Sequence, residues 1–162
     1  MTTTAPKRRV VPLPDELTEQ YWRAAANHEF VIQRCMDCGN YQHPPRVYCL
    51  ACHEGELEFE QVSGRGTVYS YSAILESDTP GLEAPYTVII AELAEQPELW
   101  ILSTCPPDVA VHVGDELELS FEDISPDFSL PQLLPLGVAA RGGTNVSSVV
   151  DVANDVAERI GT

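Results

Sequence analysis

Cys35-Met36-Asp37-Cys38-Gly39, followed after Tyr41-Gln42-His43-Pro44-Pro45-Arg46-Val47-Tyr48 by Cys49-Leu50-Ala51-Cys52, is the stretch whose reading decides this fold. Two cysteines two residues apart can both point inward from one tight knuckle. Two such knuckles face to face supply the four sulfurs that a tetrahedral Zn2+ needs. The ten residues between the pairs are long enough for a short hairpin arm to go out and return. Residues 35–52 therefore read as a metal-held ribbon, with zinc preferred over iron, although four-sulfur coordination alone does not separate the two. With four protein ligands no position is left open for water or substrate, so the expected role of the metal is structural.

Two other uses of the thiols fit the sequence less well. Disulfides belong to oxidising compartments, and Met1-Thr2-Thr3-Thr4-Ala5-Pro6-Lys7-Arg8-Arg9 is not followed by an apolar segment of signal-peptide length, so the expectation is a cytoplasmic chain with reduced thiols. A redox Cys-x-x-Cys pair would leave the second pair without a role.

The chain has 162 residues and a formal charge of −16, and the charge is unevenly placed. Residues 1–53 sum to +1, while residues 54–162 carry twenty acidic side chains against Arg65, Arg141 and Arg159. Phosphate backbones are bound chiefly through Lys and Arg, so this balance argues against nucleic acid even though ribbons and small barrels often serve that purpose. No run approaches the roughly 18 apolar residues of a membrane span. The expectation is a soluble chain with neither nucleic acid nor membrane among its partners.

Along the chain, residues 1–14 read as a flexible or extended arm. Residues 15–29 read as an N-terminal helix, with Asp15, Glu16 and Glu19 near its start and Leu17, Tyr21, Ala24 and Ala25 on one face. Trp22 beside that face makes the helix a candidate docking surface, self-packing being the other reading. Residues 30–55 form the ribbon. The pattern then turns to period two, predicting five strands over residues 56–136: Leu57 to Val62, Thr67 to Ile74, Tyr86 to Leu93, Leu99 to Thr104 and Glu116 to Phe121. Five short strands with turns between them predict a small barrel. Residues 137–162 read as a Gly- and Ala-rich linker, then either an amphipathic partner-binding helix carrying Val149, Val152, Ala153, Val156 and Ile160 or a frayed tail.

The two knuckles with Pro44-Pro45-Arg46 between them resemble the acyl-CoA-associated family grouped as domain of unknown function 35, and Gly66-Thr67-Val68-Tyr69, Ala84-Pro85-Tyr86 and Val113-Gly114-Asp115 agree with it. The resemblance covers about residues 15–135. It implies a mainly β fold: an N-terminal helix, a rubredoxin-like zinc ribbon and a five-stranded OB-fold barrel. It also implies a small, non-catalytic subunit docked on a thiolase-like or lipid-transfer-type protein that makes or breaks carbon–carbon bonds of acyl-CoA thioesters, as in thiolases, acyltransferases and retro-aldolases of steroid side chains. The chain departs from the family at Leu50, often Pro, and at Glu95-Gln96-Pro97-Glu98, where a Gly turn is usual.

The residues themselves fit a chemistry held by the partner, since the chain has no Gly-x-Ser-x-Gly elbow and no phosphate-cradling Gly loop. Cys35, Cys38, Cys49 and Cys52 are the expected metal ligands. Arg34 and Arg46 flank them and could meet a CoA phosphate or a partner carboxylate, or simply neutralise the anionic cluster. Tyr69, Tyr71 and Tyr86, with Trp100, could line an acyl or partner contact or fill the barrel. Cys105 is left over with no basic neighbour in sequence to activate it. His43 and His53 adjoin the ribbon as substitutes for a cysteine ligand. Two rival functions stay open here: an OB-fold nucleic-acid binder, and an independent acyl-CoA thioesterase or transferase.

Overall fold

Helix α1 (Glu19–Ala26) is shorter than its apolar periodicity suggests, because the carboxylate of Asp15 accepts the backbone N–H groups of Leu17 and Thr18 at 3.2 and 2.8 Å and holds residues 15–18 in a turn ahead of the first helical turn. A computed structural model describes residues 10–138; the expected arm up to residue 9, and the linker and terminal helix beyond residue 138, lie outside these. Tyr21, Ala24 and Ala25 are buried against the barrel, and Trp22 sits 6.1 Å from the Phe128 ring. The apolar face of the helix is thus covered by its own chain. At the C-terminal end His28 takes the left-handed conformation (φ 59°), stacks on Phe121 at 4.9 Å and meets Asp123 at 2.8 Å.

Three strands build the ribbon: β1 (Val31–Cys35) in the middle, β2 (Tyr41–Gln42) on one side and β3 (Leu57–Gln61) on the other, both antiparallel to it. This corrects one strand assignment. Leu57 to Val62 was expected to open the barrel, yet every residue of β3 pairs with β1, from Val31 opposite Gln61 to Cys35 opposite Leu57. Alternation identified a strand correctly but carries no information about its neighbour.

The barrel is the five-stranded sheet β6-β5-β4-β7-β8, made of β4 (Arg65–Ile74), β5 (Tyr86–Leu93), β6 (Trp100–Cys105), β7 (Glu116–Ser125) and β8 (Phe128–Pro135). The strand that completes the five is β8, which the sequence expectation did not include and which contains Pro131 and Pro135. It runs antiparallel to β7, and meets β6 through side chains. Gln132 accepts hydrogen bonds from the Ser103 hydroxyl, the Thr104 N–H and the Thr104 hydroxyl at 3.0, 2.9 and 3.1 Å, and the Leu133 N–H reaches the Ser103 hydroxyl at 2.9 Å. A proline is tolerated where a backbone ladder is replaced in this way.

Gly66 lies in β4 where no side chain fits, since a Cβ there would stand 2.4 Å from the Glu92 carbonyl oxygen. One contiguous core joins the parts: Tyr21 from the helix, Phe30, Ile32 and Val62 from around the ribbon, and Val68, Ile89, Leu93, Ile101, Leu117 and Leu133 from the barrel. Each fully buried aliphatic side chain contributes about 1.5–3 kcal/mol. Among the described residues, no helix is long and apolar enough to cross a membrane.

Candidate metal centre and barrel face

β1 delivers Cys35 to the centre at its last residue, and the chain then turns back on itself: the Gly39 N–H donates to the Cys35 carbonyl at 2.8 Å, closing the first knuckle. The second repeats the pattern, with the His53 N–H on the Cys49 carbonyl at 3.0 Å. The four sulfurs lie within 4.8 Å of one another. Cys35 to Cys52 is 3.7 Å and Cys38 to Cys49 is 3.6 Å. Zinc–sulfur bonds of about 2.3 Å in a tetrahedron put neighbouring sulfurs about 3.8 Å apart, so the donor set fits that ion. These separations are far too long for disulfides, which need about 2.05 Å. Cys35 and Cys49 are buried, and Cys38 and Cys52 close the site from the solvent side. The N–H groups of Cys52 and Ala51 point at the Cys49 sulfur and lower its pKa, which favours the thiolate a metal requires. His43 and His53 are not part of this quartet. His43 packs 5.4 Å from Tyr21, and burial pushes its pKa down to about 4.

Arg34 and Arg46, the two cations expected near the centre, have different fates. Arg34 is engaged within the ribbon: its guanidinium pairs with Glu60 at 2.7 Å, donates to the Gly39 carbonyl at 3.4 Å and lies 5.2 Å from the Tyr41 ring centroid. The Tyr41 hydroxyl donates to the other Glu60 oxygen at 2.7 Å. The Arg34 hydrogen bond, then that of Tyr41, holds the Glu60 carboxyl below its usual range. Arg46 projects into solvent from the loop that joins the knuckles.

That loop is held by two buried glutamines that sequence reading passed over. Gln33 grips the Arg46 backbone in both directions, accepting its N–H at 2.8 Å and donating to its carbonyl at 2.9 Å. Gln42 donates to Gln33 at 2.8 Å and to the Tyr48 carbonyl at 3.1 Å, and accepts the Leu50 N–H at 2.9 Å. An unpaired buried amide would cost about 1–3 kcal/mol, so the pair is stable only with the loop in place. The signal was present: Gln33 interrupts the apolar run Phe30-Val31-Ile32 at a position the ribbon buries.

The barrel loop Glu95-Gln96-Pro97-Glu98 fixes the ribbon to the barrel. Gln96 accepts the Tyr41 N–H at 2.8 Å and donates to the Tyr41 carbonyl and to the Asn40 side chain at 3.1 and 3.2 Å, so its amide caps the edge of β2 as another strand would. Glu95 accepts the Ser63 N–H at 2.6 Å.

The tyrosines separate. Tyr71 packs against the core, and Tyr86, at the start of β5, is half-buried. Tyr69 points outward beside Trp100, ring centroids 4.9 Å apart. Cys105 is buried at the end of β6; desolvation, with Asp108 adding to it, pushes its pKa up to about 12, so it is a protonated thiol at neutral pH.

Comparison with known proteins finds the same two parts, ribbon and OB-fold, although the boundary between the two matches falls within β3 and the second ends within β7. Residues 22–58 match a family described as the ChsH2 rubredoxin-like zinc ribbon domain, and residues 59–122 match the ChsH2 C-terminal OB-fold domain. A DUF35 domain-containing scaffold protein of Methanothermobacter thermautotrophicus is 35% identical over 114 residues, covering 66% of this chain and 83% of the relative. A probable enoyl-CoA hydratase alpha subunit of Thermomonospora curvata is 32% identical over 116 residues, covering 71% of this chain but only 36% of the longer relative. Among solved structures, the chain resembles one described as the Ltp2-ChsH2(DUF35) aldolase, with a TM-score of 0.68 and 28% identity, over 77% of this chain and 98% of that one.

Proposed function

Since this chain belongs to the DUF35 family of zinc-ribbon and OB-fold proteins, we propose that it is a non-catalytic accessory subunit that docks on a thiolase-like or lipid-transfer-type protein and helps it handle acyl-CoA thioesters. The reaction belongs to the partner: cleavage or formation of a carbon–carbon bond next to the thioester, retro-aldol shortening of a steroid side chain being one instance. The observation that carries this reading is the sulfur quartet, four cysteines whose sulfurs lie close enough together to hold one metal ion and to fill its coordination sphere. Zinc bound there supplies folding energy, not an open coordination position.

Two further facts support the reading. The leftover thiol, Cys105, is buried and protonated, the opposite of an activated nucleophile. The resemblance to the aldolase component extends over nearly the whole of that chain. A second reading, partnership with an enoyl-CoA hydratase, is favoured by the name of the longer relative, of which this chain spans about a third.

The test is co-purification of the zinc-loaded chain with a thiolase-like or lipid-transfer-type subunit from the same organism, with acyl-CoA turnover measured for each alone and for the mixture. Association and turnover that needs both is the expected result. A partner fully active by itself with no association refutes the proposal, and turnover only with a hydratase subunit favours the second reading.

A further inference from the structure

The outward side of β4, β5 and β6 carries large apolar side chains in adjoining rows. Leu102 stands directly opposite Ile90, which is opposite Ser70 beside Tyr69; Trp100 stands opposite Glu92, which is opposite Thr67. Residues opposite one another in antiparallel strands share a face. Leu102 is 70% exposed, Tyr69 51% and Trp100 43%, whereas their strand neighbours Val68, Ile101 and Ser103 are buried. The aromatic pair is held in place: Tyr69 leans on Trp100, whose indole N–H donates to Glu92 at 3.3 Å.

The row through Trp100 and Glu92 continues to Thr67 and then to Glu116 on β7. There it meets a groove of about 530 Å³ lined by Arg65, Thr67, Glu92, Pro97, Glu116 and Glu118 among others. Residues 65–138 as a whole hold thirteen acidic side chains against a single Lys or Arg, Arg65. A rigid aromatic and aliphatic centre beside a mainly acidic rim is the anatomy of a protein interface, with Trp and Tyr among the residues that most often dominate binding.

We propose that this face of the barrel is where the partner subunit docks, and that the matching surface is an apolar patch bordered by lysine or arginine side chains, one or more of which enters the acidic groove. The proposal rests on the reading of this chain as an accessory subunit and adds which surface is used and what chemistry meets it. Two other occupants fit the charge poorly. Bases stack on exposed aromatics of such faces, but a phosphate backbone needs the cations that are missing. A second copy would bring the same acidic border against itself.

The test uses the full zinc-loaded chain and the subunit named above, with affinity measured by titration calorimetry. Leu102→Glu combined with Trp100→Ala is expected to weaken binding at least about thirtyfold, and Glu116→Lys with Glu118→Lys about tenfold or more. A Val47→Asp change on the equally exposed ribbon loop is expected to stay within about threefold. All these positions are exposed or at the rim, and melting and zinc content confirm folding. Wild-type affinity unchanged by the Leu102 and Trp100 changes, or loss through Val47 instead, overturns the proposal while leaving the accessory-subunit reading intact. A lone-chain dimer split by Leu102→Glu, or tight binding of an oligothymidylate at low salt, also overturns it. Wild-type chain that fails to bind the subunit at all defeats the parent reading and this surface with it.

Discussion

Gly39 and His53 occupy the same corner of the two knuckles, each in the left-handed conformation, at φ 77° and 63°, and each donating its N–H to the carbonyl of the first cysteine in its pair. The centre is pseudo-symmetric although the sequence at that corner is not. A non-glycine residue in this conformation costs about 1–2 kcal/mol. His53→Gly is therefore expected to hold or raise stability by up to about 1 kcal/mol, and Gly39→Ala to lower it by about the same amount, read from urea unfolding of the zinc-loaded chain. A loss of stability in His53→Gly would show that the imidazole has a role the geometry does not display.

Gly55 guards the centre from the other side. A Cβ there would lie 2.6 Å from the Cys35 sulfur and 3.0 Å from the Asp37 carboxylate, at a φ of 94°. Backbone strain and overpacking together come to about 3 kcal/mol. Gly55→Ala should lose metal or bind it more weakly, as seen by elemental analysis and a lower melting point. Wild-type zinc content with an unchanged melting point would contradict the geometry.

Chelation tests the structural role directly. Removal of the metal leaves four thiols within 4.8 Å with nothing joining them, so a strong chelator should release one ion per chain and abolish amide protection in β1 and β2. Zinc release with those amides still protected would mean that the ribbon folds without it.

Gln96 should behave as a hinge pin. Gln96→Ala removes three hydrogen bonds to Asn40 and Tyr41 and is expected to cost about 1–3 kcal/mol, with faster exchange of the Tyr41 amide and an intact zinc site. Equal exchange in wild type and variant would deny the clamp.

The contact between helix and barrel has a pH signature. Hydrogen bonds from Ser129 and then from His28 hold the Asp123 carboxyl below its ordinary value of 3.8. A depressed carboxyl stabilises the fold above that ordinary value and loses its effect as pH falls through the lower folded value. Wild type should exceed Asp123→Asn in melting temperature at neutral pH, and the gap should narrow once pH drops below about 4. A gap that is constant with pH would locate the effect elsewhere.

How far the chain was legible in sequence varied with the range of the interaction. The Cys35 to Cys52 spacing is local, and the ribbon followed from it. The helix was legible in its buried face but not in its start, because Asp15 draws the preceding N–H groups into a turn that apolar spacing cannot register. Arg34 stood out as a candidate for an external anion, and in the structure Glu60, which is 26 residues away, already holds it.

By itself the sequence determined the four candidate metal ligands, the mainly β character and the acidic balance of this chain, since each depends on residue identity or on spacing within a few positions. Tertiary structure alone decided that Leu57–Gln61 joins the ribbon, that Phe128–Pro135 closes the barrel, that Gln96 ties the two together, and that Tyr69, Trp100 and Leu102 gather on one exposed face. The physical reason is that period-two alternation commits a segment to a strand and to two faces. Which strand lies alongside, and whether a given face meets the core or solvent, is settled by contacts between residues far apart in the chain.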